Sequence, residues 1–149
     1  MNLERTCTTA AHWSEQQYEQ LFQESGSRRE RLVLVMRAIR SVATDSSQED
    51  KGENLLGFLV ARHIAPQWEL ENIVVACGAR RKGAGKRLLD TLLAHAMSTN
   101  SDSVFLEVRE SNTTARSLYE SRGFHETGRR KSYYTNPQED AVLYCLTLA

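Results

Sequence analysis

From residue 31 onward the chain alternates between short strand-forming runs and stretches with helical spacing. "RLVLVMRAI" (31–39) and "LLGFLVARHI" (55–64) are rich in aliphatic and β-branched residues and predict two strands. The polar stretch "SVATDSSQEDKGEN" (41–54) between them predicts a long hairpin loop. "WELENIVVA" (68–76) predicts a third strand. After Gly85 the period changes, because Leu88, Leu89, Leu92, Leu93 and Ala96 fall on one face of a helix. "SVFLEV" (103–108) returns to strand and "NTTARSLYES" (112–121) to helix, with Gly123 placed as a left-handed cap. "FHETGRRKSYY" and "DAVLYCLTL" predict two final strands. Upstream, "HWSEQQYEQLF" predicts an opening helix capped by Ser14, with Gln17 at the return position of a capping box and Trp13 spaced to staple onto Tyr18. Helix, three strands, helix, strand, helix and two strands make an α/β (α+β) chain with a mixed sheet and helices on its faces. No repeat, low-complexity tract or linker divides it, so residues 1–149 predict a single domain.

Composition narrows the function classes. A chain of 149 residues suits one domain, which buries roughly 70% of its unfolded surface. Nineteen basic residues balance nineteen acidic ones, so no global field draws the protein onto nucleic acid or a membrane. Cys7, Cys77 and Cys145 are odd in number and far apart, which argues against a disulfide framework or a zinc site and fits a reducing cytosol. No basic segment leads into an apolar run at the N-terminus, and no apolar stretch approaches the roughly eighteen residues of a membrane span. The expectation is a cytoplasmic protein. The four histidines (12, 63, 95 and 125) are scattered, and no metal is expected.

Candidate chemistry begins at "RRKGAGKRLL" (80–89), between a predicted strand and a predicted helix. A helix N-terminus offers unpaired N–H groups and partial positive charge to an anion. Gly83 and Gly85 let a phosphate approach the backbone, and Arg80, Arg81, Lys82 and Lys86 surround it with charge. A nucleotide P-loop is excluded, because Arg87 follows Lys86 and Arg80 stands where the first glycine belongs. A dinucleotide fingerprint is excluded by Leu88 in place of a third glycine. A glycine turn with solvated cations is the other reading of the same residues.

"RRKGAG" fits the Q/R-x-x-G-x-G/A signature of the GNAT acyltransferases, which use acetyl-CoA, and the likeness runs through "ENIVV", "LEVRESNTTARSLYESRGF" and "RRKSYY". The combination resembles the RimI-type enzymes, which acetylate the N-terminal alanine of a ribosomal protein. That resemblance implies the GNAT acyl-CoA N-acyltransferase fold, acetyl-CoA as co-substrate and a protein N-terminus as acceptor. It implies that backbone groups of Ile73, Val74 and Val75 meet the pantetheine. The turn from Arg81 through Lys82, Gly83, Ala84 and Gly85 to Lys86 would hold the pyrophosphate, and Asn112 would contact the cofactor. Glu107 matches the general base, and Tyr119 the general acid.

Other readings stand beside these. A glutamate alone in a strand is usually a surface residue, and a tyrosine at helical spacing usually fills core. It is their joint spacing behind the glycine turn that favours catalysis. Tyr133 and Tyr134 either wall the acceptor pocket or are ordinary strand aromatics; Glu69 and Glu71 either attract a basic peptide or are exposed strand charges. Another GNAT acceptor, a protein lysine or a small amine, remains an alternative, as does a CoA-binding module without catalysis. The family opens with a strand and a full first helix, whereas "LERTCTTAAHWS" resembles only the end of that helix. The first strand is therefore expected to be missing, leaving an open sheet edge near 31–39 for another segment or a homodimer partner to cover.

Overall fold

The computed structural model describes Ser14, Gln16, Glu19, residues 30–38 and residues 55–149. Gln16 and Glu19 carry helical backbone. The capping box and staple of the expected first helix, and the 41–54 loop, lie outside the described residues.

Six strands form one sheet: β1 (Arg31–Arg37), β2 (Leu55–Ile64), β3 (Gln67–Val75), β4 (Ser103–Arg109), β5 (His125–Thr135) and β6 (Gln138–Thr147). Two helices, α1 (Ala84–Ser98) and α2 (Thr113–Glu120), follow β3 and β4. The spatial order is β1-β2-β3-β4-β6-β5. Every neighbouring pair is antiparallel except β3 and β4, which run parallel because α1 carries the chain across between them. The sheet is mixed, as the element order predicts. Among the described residues β1 is an edge strand, and Val33 and Val35 show 41% and 52% of their surface. No helix among the described residues is long and apolar enough to cross a membrane.

The core forms where α1 lies on the sheet. Leu88, Leu89, Leu92 and Ala96 are the buried residues of its predicted apolar face, packed with Leu59, Ala61, Trp68, Leu70, Val104 and Leu106. Each such leucine contributes about 1.5–3 kcal/mol on burial. Trp68 is fully buried, stacked on His63 (ring centroids 4.9 Å apart), with its indole N–H donating to Thr99 Oγ1 at 3.3 Å. The short α2 carries Tyr119 inward against Phe124 and Tyr144.

Two irregularities open the sheet at its middle. β3 bulges at Glu71: Val60 pairs with Asn72 and Ala61 with Leu70, which leaves Glu71 without a β2 partner. On its other side β3 pairs with β4 only from Gln67/Ser103 to Leu70/Leu106. Beyond those four pairs the strands part. The apolar run Ile73–Val75 and the residues from Glu107 on thus become the two sides of a fork.

Gly57 keeps the upper side of that fork in place. A Cβ there would lie 2.6 Å from the carbonyl oxygen of Val74. Gly57→Ala is therefore expected to push β2 from β3 and destabilise the fold by about 1–3 kcal/mol, read as a lower urea midpoint at unchanged slope.

Candidate active site

The fork encloses a cleft of about 460 Å³, within the roughly 300–1,000 Å³ of small-molecule sites. One wall is β3, with Ile73, Val74 and Val75. The floor at one end is the turn into α1, where Arg80, Arg81, Gly83, Ala84, Gly85 and Lys86 line the cavity. The opposite wall is β4 with Glu107, and α2 with Asn112 and Tyr119; Tyr134 of β5 closes the far end. Glu71 also reaches the cleft, whereas Lys82, Glu69 and Tyr133 are not among its lining residues.

The turn has the features that suit an anion. Arg81 (φ 59°) and Gly83 (φ 82°) both adopt left-handed backbone, which curls the chain so that α1 starts at Ala84 facing the cleft. Its first turn carries no acidic residue and receives no side-chain cap, so the helix start presents unneutralised positive polarity. Gly85 sits where a Cβ would lie 3.3 Å from Leu118 and 3.5 Å from Val75 side-chain carbons, so the helix start is pressed close to both walls. Arg80 turns back instead, its Nε donating to the Val75 carbonyl at 3.2 Å.

At the other end the chemistry is of a different kind. Glu107 ion-pairs with Arg130 of β5, Nη2 to Oε1 3.0 Å, and its side chain keeps 21% of its exposure. Tyr119 is 5% exposed; burial, then the neighbouring Tyr134, holds its hydroxyl pKa well above the usual tyrosine range. Tyr134 is pushed up to about 12, by burial first and by the charge of Glu107 second. Its ring is fixed from behind by the Arg109 guanidinium, 4.1 Å from the centroid, which is itself anchored to Glu139 at 2.7 Å. Glu107 and both phenols thus line the end of the cleft away from the turn, with Tyr119 and Tyr134 in protonated form at neutral pH.

Several expected residues have additional or different partners. Asn112 lines the cleft but also caps α2, its Oδ1 accepting from Ala115 N at 3.2 Å. Glu71 is engaged by Arg31 (Nη2 to Oε1, 3.4 Å) and lies 3.5 Å from Arg62 Nε; Glu69 accepts from Arg62 Nε at 3.2 Å. These carboxylates neutralise two arginines paired across β1 and β2. Tyr133 stands edge-on to Tyr134 and is 49% exposed. Leu70, Asn72, Val108, Arg109, Thr114, Ala115 and Leu118 line the cleft without having been expected. Arg109 was within reach of sequence reasoning, since it shares a strand face with Glu107 two residues away. Among the described residues no group of three His, Cys, Asp or Glu side chains could hold a metal ion.

A parallel-strand fork, a cationic glycine turn at a helix start and a carboxylate opposite it are parts that suit a transferase with a phosphorylated carrier at one end of a cleft and an amine at the other. The chain belongs to the acetyltransferase (GNAT) family, whose model matches residues 2–124, and is an acetyl-CoA-dependent N-acetyltransferase. It is 33% identical over 99 residues, 64% of this chain and 68% of the relative, to the ribosomal protein bS18-alanine N-acetyltransferase of Haemophilus ducreyi. The crystal structure of the ribosomal-protein-S18-alanine N-acetyltransferase from Escherichia coli superposes with a TM-score of 0.72 at 28% identity, covering 99% of this chain and 84% of that one. An acetyltransferase from Bacillus anthracis, solved in complex with acetyl coenzyme A, superposes with a TM-score of 0.59 at 27% identity, covering 64% of this chain and 57% of that one.

Proposed function

We propose that this chain acetylates the N-terminal α-amine of a protein, an alanine-starting ribosomal protein in the first instance, by direct attack on acetyl-CoA. The observation that carries the reading is the placement of Glu107 and Tyr119 on one wall of the fork, opposite the apolar β3 wall and beyond the cationic turn. The names of the relatives favour alanine on a ribosomal protein as the acceptor.

Acetyl-CoA fits the donor set and supplies the acetyl thioester. The turn from Arg81 to Lys86 holds its pyrophosphate, using the bare helix start and the flanking cations. Ile73, Val74 and Val75 align the pantetheine as a strand would be aligned, and backbone N–H groups near Val75 polarise the thioester carbonyl. Glu107, directly or through a water, collects the proton of the incoming amine. Tyr119, held protonated by burial, gives a proton to the departing sulfur. Tyr134 walls the acceptor end.

An α-amine suits this machinery better than a lysine. With a pKa of about 7.7–8.0 it is roughly 10–15% neutral at pH 7, against about 0.04% for a lysine near 10.4. The expected result is faster initial acetylation of an alanine-starting ribosomal peptide than of its N-blocked, lysine-containing form or of polyamines. Faster turnover of the blocked peptide would reassign the acceptor to lysine. Tight acetyl-CoA binding with no turnover on any amine would make the protein a binding module.

A further inference from the structure

We propose that Arg130 is a selectivity residue: its guanidinium, held against Glu107, offsets the carboxylate's pull on ammonium ions, so that the site favours acceptors arriving as neutral amines. The inference rests on the α-amine reading above and deepens it.

A carboxylate that must accept a proton from an amine has an inherent conflict. Before the reaction it attracts the ammonium form, and that attraction raises the pKa of the bound amine and keeps it charged. The other charges around Glu107 do not resolve this. Glu71, from β3, is engaged by Arg31 and Arg62. Arg109, on β4 itself, is anchored to Glu139 of β6. From α2 the cleft receives Tyr119, and from β5 Tyr134, both neutral phenols near pH 7. The cations of the turn, Arg80, Arg81 and Lys86, line the pyrophosphate end. Among the described residues, Arg130 is the cation that contacts Glu107, at 3.0 Å.

Local backbone geometry delivers it there. Arg130 pairs with Ala141, and the next registered pair is Tyr134 with Glu139, so Lys131, Ser132 and Tyr133 bulge opposite Asp140 alone. The Asp140 carboxylate pins that bulge, accepting from Ser132 N at 2.9 Å and pairing with Lys131 Nζ at 2.9 Å, and Ser132 is held at φ 50°. Arg130 stands at the bulge's edge with Tyr133 beside it, guanidinium to ring centroid 5.4 Å. Because the Arg130 side chain retains 55% of its exposure, an arriving amine can displace it without breaking a buried pair.

Tetramethylammonium is a permanent cation that cannot react, and its binding is read from broadening of its own methyl resonance, without turnover. Arg130→Gln is expected to tighten that binding on the order of 5-fold and to move the acid limb of kcat for an alanine-starting peptide up by about half a pH unit. Arg130→Lys, which keeps the charge, should stay within about twofold of the parent on both measures. Adding Glu107→Gln to Arg130→Gln should abolish the gain in binding. Unchanged tetramethylammonium affinity in Arg130→Gln, or an Arg130→Lys protein that behaves like it, overturns the inference. A parent protein that acetylates no α-amine overturns the functional reading instead, and the binding arm still decides the role of Arg130.

Discussion

Replacing Glu107 by Gln is expected to lower kcat/KM for an alanine-starting peptide by about 10²–10⁴-fold at pH 7. The amide is nearly isosteric and can still accept a hydrogen bond from Arg130, so the local geometry survives while the proton acceptor is lost. Acetyl-CoA affinity should stay within a few-fold of the parent, because the proposed site for the nucleotide end, the turn into α1, lies at the other end of the cleft. The deficit should narrow toward pH 9, where the α-amine is already neutral and needs less help. A deficit under about threefold across that range would remove Glu107 from the mechanism.

Tyr119→Phe is expected to cost on the order of 10²-fold in kcat, with peptide KM and acetyl-CoA affinity little changed. The hydroxyl is the only group removed, and the ring keeps its packing against Phe124 and Tyr144. Because burial holds the Tyr119 pKa above its ordinary value of 10.0, the phenol remains a proton donor throughout the assay range. The parent's rate should therefore climb through pH 8 as the amine deprotonates and then level off, with no alkaline fall below about pH 10. A kcat equal to the parent's would leave Tyr119 a packing residue.

The elements were legible in the sequence because each announces itself locally. The alternation of "WELENIVV" and the leucine spacing after Gly85 are one-dimensional signals, and β3 and α1 fall where they predict. The turn was legible for the same reason: its glycines and cations are contiguous. Strand register is not contained in such signals. The bulge at Glu71 is a slip in the pairing of β2 with β3, and the end of the β3–β4 ladder at Leu70/Leu106 depends on pairing between segments more than thirty residues apart. The partners of Glu69 and Glu71 follow from the neighbourhood of β1, β2 and β3, which brings Arg31 and Arg62 alongside them. The Arg130–Glu107 pair was hidden for a related reason, since β6 lies between the two strands that carry it.

The fork has a mechanical corollary. Two half-sheets, β1-β2-β3 and β4-β6-β5, are stitched together by four residue pairs at one end only. Beyond those pairs, among the described residues, no backbone rung joins the leaves, and the packing of α1 across β1 to β4 holds them in place. Leu118, Tyr119 and Tyr134 line the gap that remains, so its width there is set by side chains and not by backbone hydrogen bonds.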